Sequence, residues 1–336
     1  KDEPDLLVTV DCGIACRNEV RLLKNRGVDV FITDHHEPAD LVPEEVPVCD
    51  PKIDPDCSES ILAGVGVALK LIQALGARFG QPHLWREYTD LATLGTIADL
   101  MPMQQDNRAL VADGVAHMNE SPRPCIASLL HSAGVADKPV SSTSLSFSVI
   151  PRLNAAGRMG DAMLALNLLL EDDTNRAQDI AADLEAVNSQ RRAIEAELAE
   201  IATLQAQEIY QGQRALIVAE GWHEGVKGIV ASRLARSYGV PTILFAIDEE
   251  GIARGSGRSV GSVNLFKAVE SCSDMLIRFG GHEAAVGVTL SAADLPAFTK
   301  RLCAFMDGLD KNCFHPRIDI DACVNLDELT VENVEA

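Results

Sequence analysis

Short apolar runs alternate with helical patterns over the first hundred residues of this 336-residue chain. The predicted elements are strands at 6–10, 28–33 and 46–49 and helices at 18–26, 64–80 and 86–99. Strands and helices that alternate at this spacing indicate an α/β domain built on a parallel sheet. Residues 105–170 show a mostly helical pattern, broken by proline-containing loops, and are predicted to be a helical insert.

The longest uninterrupted helical pattern covers residues 175–211 and contains neither glycine nor proline. Its apolar residues recur in steps of three and four and form one stripe, with Arg191 as the charged exception. The stripe consists of Ile180, Leu184, Val187, Ile194, Leu198 and Ile201. Such a helix spans roughly 55 Å, more than the width of a small domain. We predict that it connects two domains; the alternative is an ordinary core helix of unusual length.

A second α/β pattern follows the long helix. It consists of predicted strands at 214–219, 242–246 and 252–255 and helices at 226–238, 264–270 and 295–309. The predicted fold class is therefore α/β, with a parallel-sheet domain joined by the long helix to a smaller α/β domain. From Arg317 onward, a short strand and an acidic segment indicate the start of a further unit that the chain does not complete.

Composition narrows the class of protein. No apolar run approaches the ~20 residues that cross a bilayer, and no secretory leader opens the sequence. The nine cysteines are scattered and never spaced C-x-x-C, which favours a reducing, cytoplasmic setting over a disulfide framework or a cysteine zinc site. The net charge of −21 argues against a broadly basic surface for nucleic acid. Basic and acidic residues nevertheless balance between 221 and 288, so the excess of acid lies elsewhere.

Acidic and imidazole side chains follow two of the predicted strands. Asp11 follows the first strand, and the Asp34, His35 and His36 triplet follows the second. Open α/β sheets place their chemistry at the carboxyl ends of the strands. Carboxylate oxygen and neutral imidazole nitrogen together suit Mn²⁺ or Zn²⁺. Taken singly, an aspartate here could be a turn former or a helix cap, and the histidine pair a surface accident.

Three further features suit metal or phosphate chemistry. A helical run ends on Asp99 just before a proline, and this carboxylate either precedes a turn or completes a metal cluster. The segment 254–259 interleaves arginine, serine and glycine, a composition that suits phosphate but also flexible surface turns. Gly280 and Gly281 precede His282, which opens a predicted helix whose N–H groups would favour an anion.

Five motifs stand in a fixed order along the chain. They are V-D-C-G-I at 10–14, T-D-H-H-E at 33–37, G-T-I-A-D at 95–99, S-G-R-S at 256–259 and G-G-H-E-A-A at 280–285. In order and spacing they resemble the DHH phosphoesterase superfamily with its DHH-associated domain. Two longer motifs, P-R-L-N-A-A-G-R-M at 151–159 and G-W-H-E-G-V-K-G-I-V-A-S-R-L at 221–234, are similar to the RecJ family of bacterial exonucleases within it.

The resemblance implies both an organisation and an activity. It implies a DHH phosphoesterase domain at 1–174 with the insert at 105–170, a connecting helix at 175–211, a DHH-associated substrate-binding domain at 212–312, and the start of an incomplete oligonucleotide-binding-fold domain at 313–336. The implied activity is 5′→3′ exonucleolytic hydrolysis of single-stranded DNA with two Mn²⁺ or Mg²⁺ ions, in DNA repair and recombination. Single-stranded DNA, a single-strand-binding protein and a helicase are the implied partners, and no membrane is involved.

The resemblance also assigns roles to single residues. Asp11, His35 and Asp99 would be metal ligands, with Asp11 bridging two ions. His36 would face the scissile phosphate, and Asp34 would support it as the second member of the catalytic pair. The implied substrate-binding residues are Asn154, Arg158, Ser256, Arg258, Ser259, Gly280, Gly281 and His282.

One motif of the superfamily has no counterpart in this sequence. Similar proteins carry an earlier strand ending in D-x-D-x-D-G, which supplies further carboxylates to the metal pair. Asp11, His35 and Asp99 alone give three protein ligands for two ions. We therefore expect the chain as written to bind metal weakly, to be nearly inactive, and to expose an unpaired strand edge in its first sheet.

Two other functions stay open at this point. One is a DHH phosphodiesterase that cleaves short oligonucleotides or cyclic dinucleotides, although the insert at 105–170 and the long helix are more structure than a small substrate needs. The other is a non-catalytic DNA replication scaffold, which predicts decayed ligands. Asp11, His35, His36 and Asp99 are all present, and this favours an enzyme.

Overall fold

The computed structural model describes residues 4–38, 42–220, 224–316, 318, 320 and 323–335. The chain forms two compact units, Lys1–Asn188 and Ser189–Ala336, each with its own sheet and hydrophobic core. None of the described helices has the length and hydrophobicity that a bilayer crossing requires. The predicted α/β fold class is confirmed.

Three parallel strands form the sheet of the first unit. β1 (Leu6–Val10) pairs with β2 (Asp29–Thr33), and β2 pairs with β3 (Val48–Cys49), so the strands lie side by side in chain order. The register aligns the last residue of each strand with the last residue of its neighbour. The residues that follow the three strands therefore meet at one edge of the sheet.

One face of the sheet packs against α1 (Arg17–Lys24), which connects β1 to β2. Val20 of this helix is buried against Val30 and Ile32 of β2. Apolar side chains at alternate positions of β1 are exposed, namely Leu6, Val8 and Val10. Within the described residues, β1 has a neighbouring strand on one side only.

The rest of the first unit is helical, as predicted for residues 105–170. Its helices are α2 (Gly64–Arg78), α3 (Thr89–Ala98), α4 (Gln105–Glu120), α5 (Pro124–Ser132), α6 (Ser142–Ser144), α7 (Ile150–Arg158) and α8 (Ala162–Leu169). A five-residue π-helical stretch, Leu145–Val149, joins α6 to α7. The core of this part contains Leu129 and Leu168, both fully buried.

The long helix predicted at 175–211 is confirmed as α9 (Thr174–Ile209), which begins in the first unit and ends in the second. Leu184 packs into the core of the first unit and Leu198 into a core of the second. Arg191, the charged exception on its apolar stripe, forms an ion pair of 2.7 Å with Glu195 one turn later. A pair at this spacing explains how the stripe tolerates a charge.

The second unit contains a five-stranded mixed sheet. Its strands are β4 (Leu216–Glu220), β5 (Thr242–Ile247), β6 (Ile252–Arg258), β7 (Arg278–His282) and β8 (Ala285–Ser291). They lie in the order β4-β5-β6-β8-β7, with β4 and β5 parallel and all other pairs antiparallel. The helices are α10 (Lys227–Tyr238), α11 (Leu265–Glu270), α12 (Leu295–Asp307) and α13 (Val331–Glu335).

Two predictions about this sheet are wrong. The helix expected to open at His282 does not form, because residues 278–291 are the hairpin of β7 and β8. Residues 286–290 alternate buried and more accessible positions, which is the period of a strand, and the neighbouring glycines masked this signal. The strand predicted at 252–255 runs on to Arg258, so the arginine and glycine segment is not a flexible turn.

The strand expected from Arg317 lies largely outside the described residues. The described part of the chain beyond it forms a short 3-10 turn at Leu326–Glu328, followed by α13.

Candidate functional site

The ends of β1 and β2 deliver a carboxylate and an imidazole to the same edge of the first sheet. Asp11 directly follows β1 and has a backbone φ of +62°. Few residues other than glycine adopt this left-handed conformation, although aspartate tolerates it better than most. It turns the chain sharply at the strand end, whereas Asp34 and His35 continue directly from β2. Non-glycine residues in such conformations are often found at functional sites.

His35 lies between two carboxylates. Its Nε2 atom is 3.0 Å from Oδ1 of Asp11 and 3.5 Å from Oδ2 of Asp99, the residue that caps the end of α3. The imidazole is nearly buried, while both carboxylates are partly exposed. Asp11, His35 and His36 each offer a ligand atom, and these atoms lie within 4.8 Å of one another. The structure thus brings together residues that are 88 positions apart in the sequence.

This arrangement fits a divalent cation. Two ligand atoms that each lie about 2.0–2.2 Å from one ion are roughly 3 Å apart, which is the separation of His35 Nε2 and Asp11 Oδ1. Oxygen and imidazole nitrogen are the donors that Mn²⁺ accepts together. The roles of these residues as ligands remain predictions, because the geometry describes only their placement.

Asp34 is buried and acts as a clamp: its carboxylate accepts the backbone N–H groups of residues 14, 35 and 36. Its Oδ2 accepts the Ile14 N–H at 2.9 Å, and its Oδ1 accepts the His35 N–H at 2.8 Å and the His36 N–H at 3.3 Å. Burial by itself raises the pKa of Asp34, but these bonds and the His36 ring outweigh it and hold the pKa below its ordinary value. This placement suits the supporting role that the sequence analysis gave to Asp34.

The His36 ring contacts the same Asp34 carboxylate and is exposed to solvent. Its Nδ1 atom is 2.7 Å from Oδ1 of Asp34, and its side chain is 60% exposed. Because an ionised carboxylate can only accept, Nδ1 carries the hydrogen and Nε2 remains available on the outer side. An imidazole oriented in this way can contact a substrate phosphate.

The first residue of α2 shapes the position of Asp11. A Cβ atom added to Gly64 would lie 2.3 Å from Oδ1 of Asp11 and 2.6 Å from its Cβ. The Asp11 side chain therefore lies against the helix start in space that only glycine leaves open. The helix has no side-chain cap at this end. Sequence analysis missed Gly64, although the G-V-G-V start of α2 was a visible signal.

Asn154 and Arg158 lie on α7 and border a surface depression next to the end of α3. The depression has a volume of about 540 Å³ and is also lined by Ala98, the neighbour of Asp99. Leu100, on the other side of Asp99, has a backbone φ of +56° and an exposed side chain. Both predicted substrate-binding residues of the first unit thus line a depression that extends to Ala98, the residue before Asp99.

The predicted phosphate-binding residues of the second unit are aligned across three strands. Arg258 of β6 pairs with Ala285 of β8, and Ala285 pairs with His282 of β7, so these side chains project from one end of the sheet. Ser256 and Gly280 flank Gly287 in the same way. Because Gly280 and Gly287 have no side chains, no neighbouring side chain on these two strands rises beside Ser256.

Arg258 is held by its surroundings. Its Nη1 donates to the Gly257 carbonyl at 2.8 Å and to Ser256 Oγ at 3.2 Å. A Cβ added to Gly228, in the first turn of α10, would lie 2.7 Å from Nη2 of Arg258. The guanidinium therefore packs against the start of α10 and borders a cavity of about 330 Å³ that Arg236 also lines. Sequence analysis missed Gly228, although it lies within the motif at 221–234.

Ser259 and the glycine pair differ from the pattern expected of them. The Ser259 hydroxyl donates to the Val263 carbonyl at 2.6 Å, and its N–H donates to the Ala284 carbonyl at 2.9 Å. Both groups thus stabilise the loop after β6. Gly280 and Gly281 are exposed on β7 instead of preceding a helix, and Gly281 has a φ of +133°. Their predicted contact with phosphate would therefore be made from the surface of a strand and not from the start of a helix.

The predicted site residues form two sets. Asp11, Asp34, His35, His36, Asp99, Asn154 and Arg158 belong to the first unit. Ser256, Arg258, Ser259, Gly280, Gly281 and His282 belong to the second.

Known proteins resemble this chain over most of its length. The model of the DHH family, N-terminal domain, matches residues 2–96, and that of the DHHA1 domain matches residues 212–308. The single-stranded-DNA-specific exonuclease RecJ of Bacillus subtilis is 38% identical over 334 residues, which cover 98% of this chain and 42% of that protein. The chain thus spans less than half the length of this curated relative.

Solved structures agree with this similarity. The crystal structure of RecJ from Thermus thermophilus in complex with Mn²⁺ has a TM-score of 0.83 at 37% identity, covering 91% of this chain and 45% of that one. A crystal structure of exonuclease RecJ bound to manganese has a TM-score of 0.77 at 37% identity, covering 92% of this chain and 77% of that one.

Proposed function

We infer the function of this chain from the family to which it belongs, the RecJ exonucleases of the DHH family. We propose that it hydrolyses phosphodiester bonds of single-stranded DNA from the 5′ end, with Mn²⁺ or Mg²⁺ as cofactor, as part of DNA repair and recombination, and that three protein ligands for two ions leave this activity weak. The nine cysteines form no disulfide, which supports a reducing, cytoplasmic setting. A single-strand-binding protein and a helicase remain predicted partners.

One observation carries the proposal. Asp11, His35 and Asp99 come from three separate elements, yet the two carboxylates lie 3.0 Å and 3.5 Å from the same imidazole nitrogen. Such a cluster at the carboxyl ends of parallel strands is where an α/β fold binds its ligands. A scaffold without catalysis would have no need to keep it.

The residues of the site would have separate roles in hydrolysis. Asp11, His35 and Asp99 would hold the metal pair, which when bound activates a water and neutralises charge on the attacked phosphate. His36, anchored by Asp34, turns its Nε2 side outward and would contact the scissile phosphate. Because the water is the nucleophile in this scheme, the chain needs no nucleophilic side chain.

The second unit would supply contacts to the single DNA strand. Arg258 and Ser256 offer a guanidinium and a hydroxyl above a surface kept low by glycines, and a guanidinium can donate to two phosphate oxygens at once. The chain has only 4% aromatic residues, so base stacking contributes little. Recognition through the backbone suits an enzyme that is indifferent to sequence.

The test compares metal binding and cleavage in matched variants. Mn²⁺ affinity is measured by titration calorimetry, and cleavage with a 5′-phosphorylated single strand, the same sequence as a duplex, and a dinucleotide. Asp11→Asn removes a metal-facing carboxylate, and Asp29→Asn, an exposed position at the opposite end of the sheet, is its control. We expect both Mn²⁺ binding and single-strand cleavage to fall in Asp11→Asn and to be unchanged in Asp29→Asn.

Two results would contradict the proposal. Equal Mn²⁺ affinity in the wild type and in Asp11→Asn would show that Asp11 does not bind the metal. Cleavage of the duplex or the dinucleotide at least as fast as that of the single strand would show that single-stranded DNA is not the preferred substrate.

A further inference from the structure

A buried amide connects two of the loops that lead to the predicted metal ligands. Asn107, in the first turn of α4, is fully buried. Its Nδ2 atom donates to the Ile61 carbonyl at 2.7 Å and to the Pro102 carbonyl at 3.0 Å. The amide nitrogen thus uses both of its hydrogens, one on the loop before α2 and one on the loop after α3.

The first of these loops leads to the glycine that lies against Asp11. Ile61 comes three residues before Gly64, the first residue of α2. The Asp11 carboxylate packs so closely on Gly64 that an added Cβ would be 2.3 Å from its Oδ1. A shift of the chain at Ile61 would therefore move the surface on which Asp11 rests.

The second loop carries Asp99 and joins α3 to α4. Two non-glycine residues near its ends have left-handed backbones, Leu100 at φ +56° and Gln105 at φ +46°. Such conformations persist only where the surrounding structure holds them. The bond from Asn107 to the Pro102 carbonyl lies between the two and ties the loop to α4. Asn107 is thus one of the contacts that hold Asp99 in place.

An ion-pair network joins the same elements nearer the surface. Lys70 of α2 is 2.5 Å from Asp106, the neighbour of Asn107, and 3.5 Å from Glu59, which lies in the turn that ends at Ile61. Burial lowers the pKa of Lys70, but the two carboxylates outweigh it and hold the pKa above its ordinary value. Solvent screens these partly exposed pairs, so they fix the spacing of the elements less firmly than the buried amide does.

Stability alone explains Asn107 poorly. Its Oδ1 atom is buried and has no hydrogen-bond partner in the part of the chain that the structure describes. The cost of an unpaired buried acceptor is about as large as the gain from two ordinary hydrogen bonds. The side chain therefore adds little net stability, whereas it does determine the positions of the two carbonyls that it joins.

We propose that Asn107 is a positioning residue for the metal site: it holds the two loops that place Asp11 and Asp99 beside Nε2 of His35. This inference rests on the proposed metal-dependent function. The two carboxylates lie 3.0 Å and 3.5 Å from that nitrogen, and functional groups have to be held to within about 0.5 Å to act together. A single amide thus contributes to the placement of two ligands that come from different parts of the chain.

The experiment separates positioning from stability. Asn107→Leu keeps the branched shape of the side chain without its donors, and Asn107→Ala removes the amide altogether. Mn²⁺ affinity is measured by titration calorimetry, and stability by thermal unfolding. Amide hydrogen exchange is followed at residues 99–101, whose N–H groups donate to carbonyls of α3. This last measurement requires no metal and reports directly on the loop that carries Asp99.

Asn119→Ala is the matched control. Asn119 lies on the same helix, and its Nδ2 also donates to two carbonyls, those of Val115 at 2.9 Å and Val140 at 3.1 Å. Its Oδ1 accepts the Val140 N–H at 2.8 Å. These bonds join α4 to the loop before α6, which carries no predicted metal ligand. Any effect that comes from losing an asparagine clamp on α4 therefore appears in the control as well.

We expect the Mn²⁺ affinity to fall on the order of 10-fold in both Asn107 variants, the lower end of the range for groups that support metal ligands. Amide exchange at residues 99–101 should accelerate on the order of 10-fold, the equilibrium value of about one hydrogen bond. Asn119→Ala should match the wild type in both measurements. In an Asp99→Asn background the loss of affinity caused by Asn107→Ala should be smaller than in the wild type, whereas an unrelated structural effect would be additive.

The outcomes separate this inference from the proposed function. Wild-type Mn²⁺ affinity in Asn107→Ala, an equal loss in Asn119→Ala, or full additivity with Asp99→Asn would each overturn the inference. Asn107→Ala decides the matter if Asn107→Leu fails to fold. Absence of Mn²⁺ binding in the wild type would instead overturn the proposed function, and exchange at residues 99–101 would still decide whether Asn107 holds the loop.

Discussion

The substitution Gly64→Ala tests whether the position of Asp11 controls metal binding. The added Cβ would lie 2.3 Å from Oδ1 of Asp11, 2.6 Å from its Cβ and 2.7 Å from its Cγ. Rotating the carboxylate cannot relieve this clash, because the Cβ of Asp11 is itself too close. The end of β1 must therefore withdraw from the start of α2.

The size of the displacement sets the expected effect. An ordinary contact between carbon and oxygen is about 3.3 Å or longer, so Oδ1 must retreat by about 1 Å. That distance is twice the ~0.5 Å within which a functional group must be held. A misplacement of about 1 Å can cost on the order of 10²-fold in activity, or about 2.7 kcal/mol of transition-state stabilisation. The Mn²⁺ affinity should fall together with the activity.

Stability should fall as well, because overpacking of this kind costs about 1–3 kcal/mol. This exceeds the roughly 0.5–1 kcal/mol that alanine gains over glycine even in the middle of a helix. Gly66→Ala on the same helix is the control, since its added Cβ would meet only the Leu62 side chain, at 3.1 Å or more. The assays are Mn²⁺ titration, cleavage of a 5′-phosphorylated single strand, and thermal unfolding.

Two patterns of results would refute this reasoning. Wild-type metal affinity and activity in a folded Gly64→Ala protein would show that the position of Asp11 does not matter. Equal losses in Gly64→Ala and Gly66→Ala would show that helix α2 tolerates no added methyl group, for reasons unrelated to Asp11.

Three further changes test other contacts. Gly228→Ala should displace the Arg258 guanidinium, lower single-strand affinity, and reduce the salt dependence of binding by about 0.7 in the log–log slope per lost phosphate contact, without loss of stability. Asp34→Ala leaves buried N–H groups unpaired and should lower the free energy of unfolding in urea by about 2–4 kcal/mol. Arg123→Ala leaves the buried carboxylate of Asp90, 2.7 Å away in the wild type, without its cation, and should cost about 3–5 kcal/mol in the same measurement.

Each of these expectations has a result that would contradict it. An unchanged salt slope in Gly228→Ala would mean that Arg258 makes no phosphate contact in the complex. Asp34→Ala with wild-type stability would mean that the clamp on residues 14, 35 and 36 is dispensable. Arg123→Ala with wild-type stability would mean that Asp90 finds another partner or becomes neutral.

Much of the first site could be predicted because its residues follow strands. A strand fixes the direction of the chain at its end, and parallel pairing brings several ends to one edge. Asp11 and His35 could therefore be placed near each other from the apolar runs that precede them. Asp99 was harder, since it follows a helix, and only the motif order suggested that it joins the group.

The missed residues have a common cause. Gly64 and Gly228 matter through what they leave empty, which depends on a side chain brought close only by the fold. A sequence shows that a residue is glycine but does not show which atom occupies the space beside it.

The hairpin of β7 and β8 was misread for a related reason. Glycine at 280, 281 and 287 breaks the alternation of large apolar residues that marks a strand, and the pair before His282 looks like a helix start. In the folded sheet two of these glycines, Gly280 and Gly287, lie on the same face as Ser256 and Arg258. The feature that concealed the strand thus lies beside two residues whose contact with phosphate stays a prediction.

Two residues at the edge of the first sheet that carries the predicted metal ligands adopt left-handed backbone conformations, which cost free energy. Asp11 at φ +62° and Leu100 at φ +56°, the neighbour of Asp99, both occupy the left-handed region, at roughly 1–2 kcal/mol each for ordinary residues. Strained residues persist where the surrounding structure holds them. Here the β1–β2 pairing and the end of α3 hold them, and the result is that two carboxylates converge on one imidazole nitrogen. A cation held by both carboxylates would bind the folded state and not the unfolded one, so Mn²⁺ should raise the midpoint of thermal unfolding, and an unchanged midpoint at saturating Mn²⁺ would contradict the predicted ligand roles.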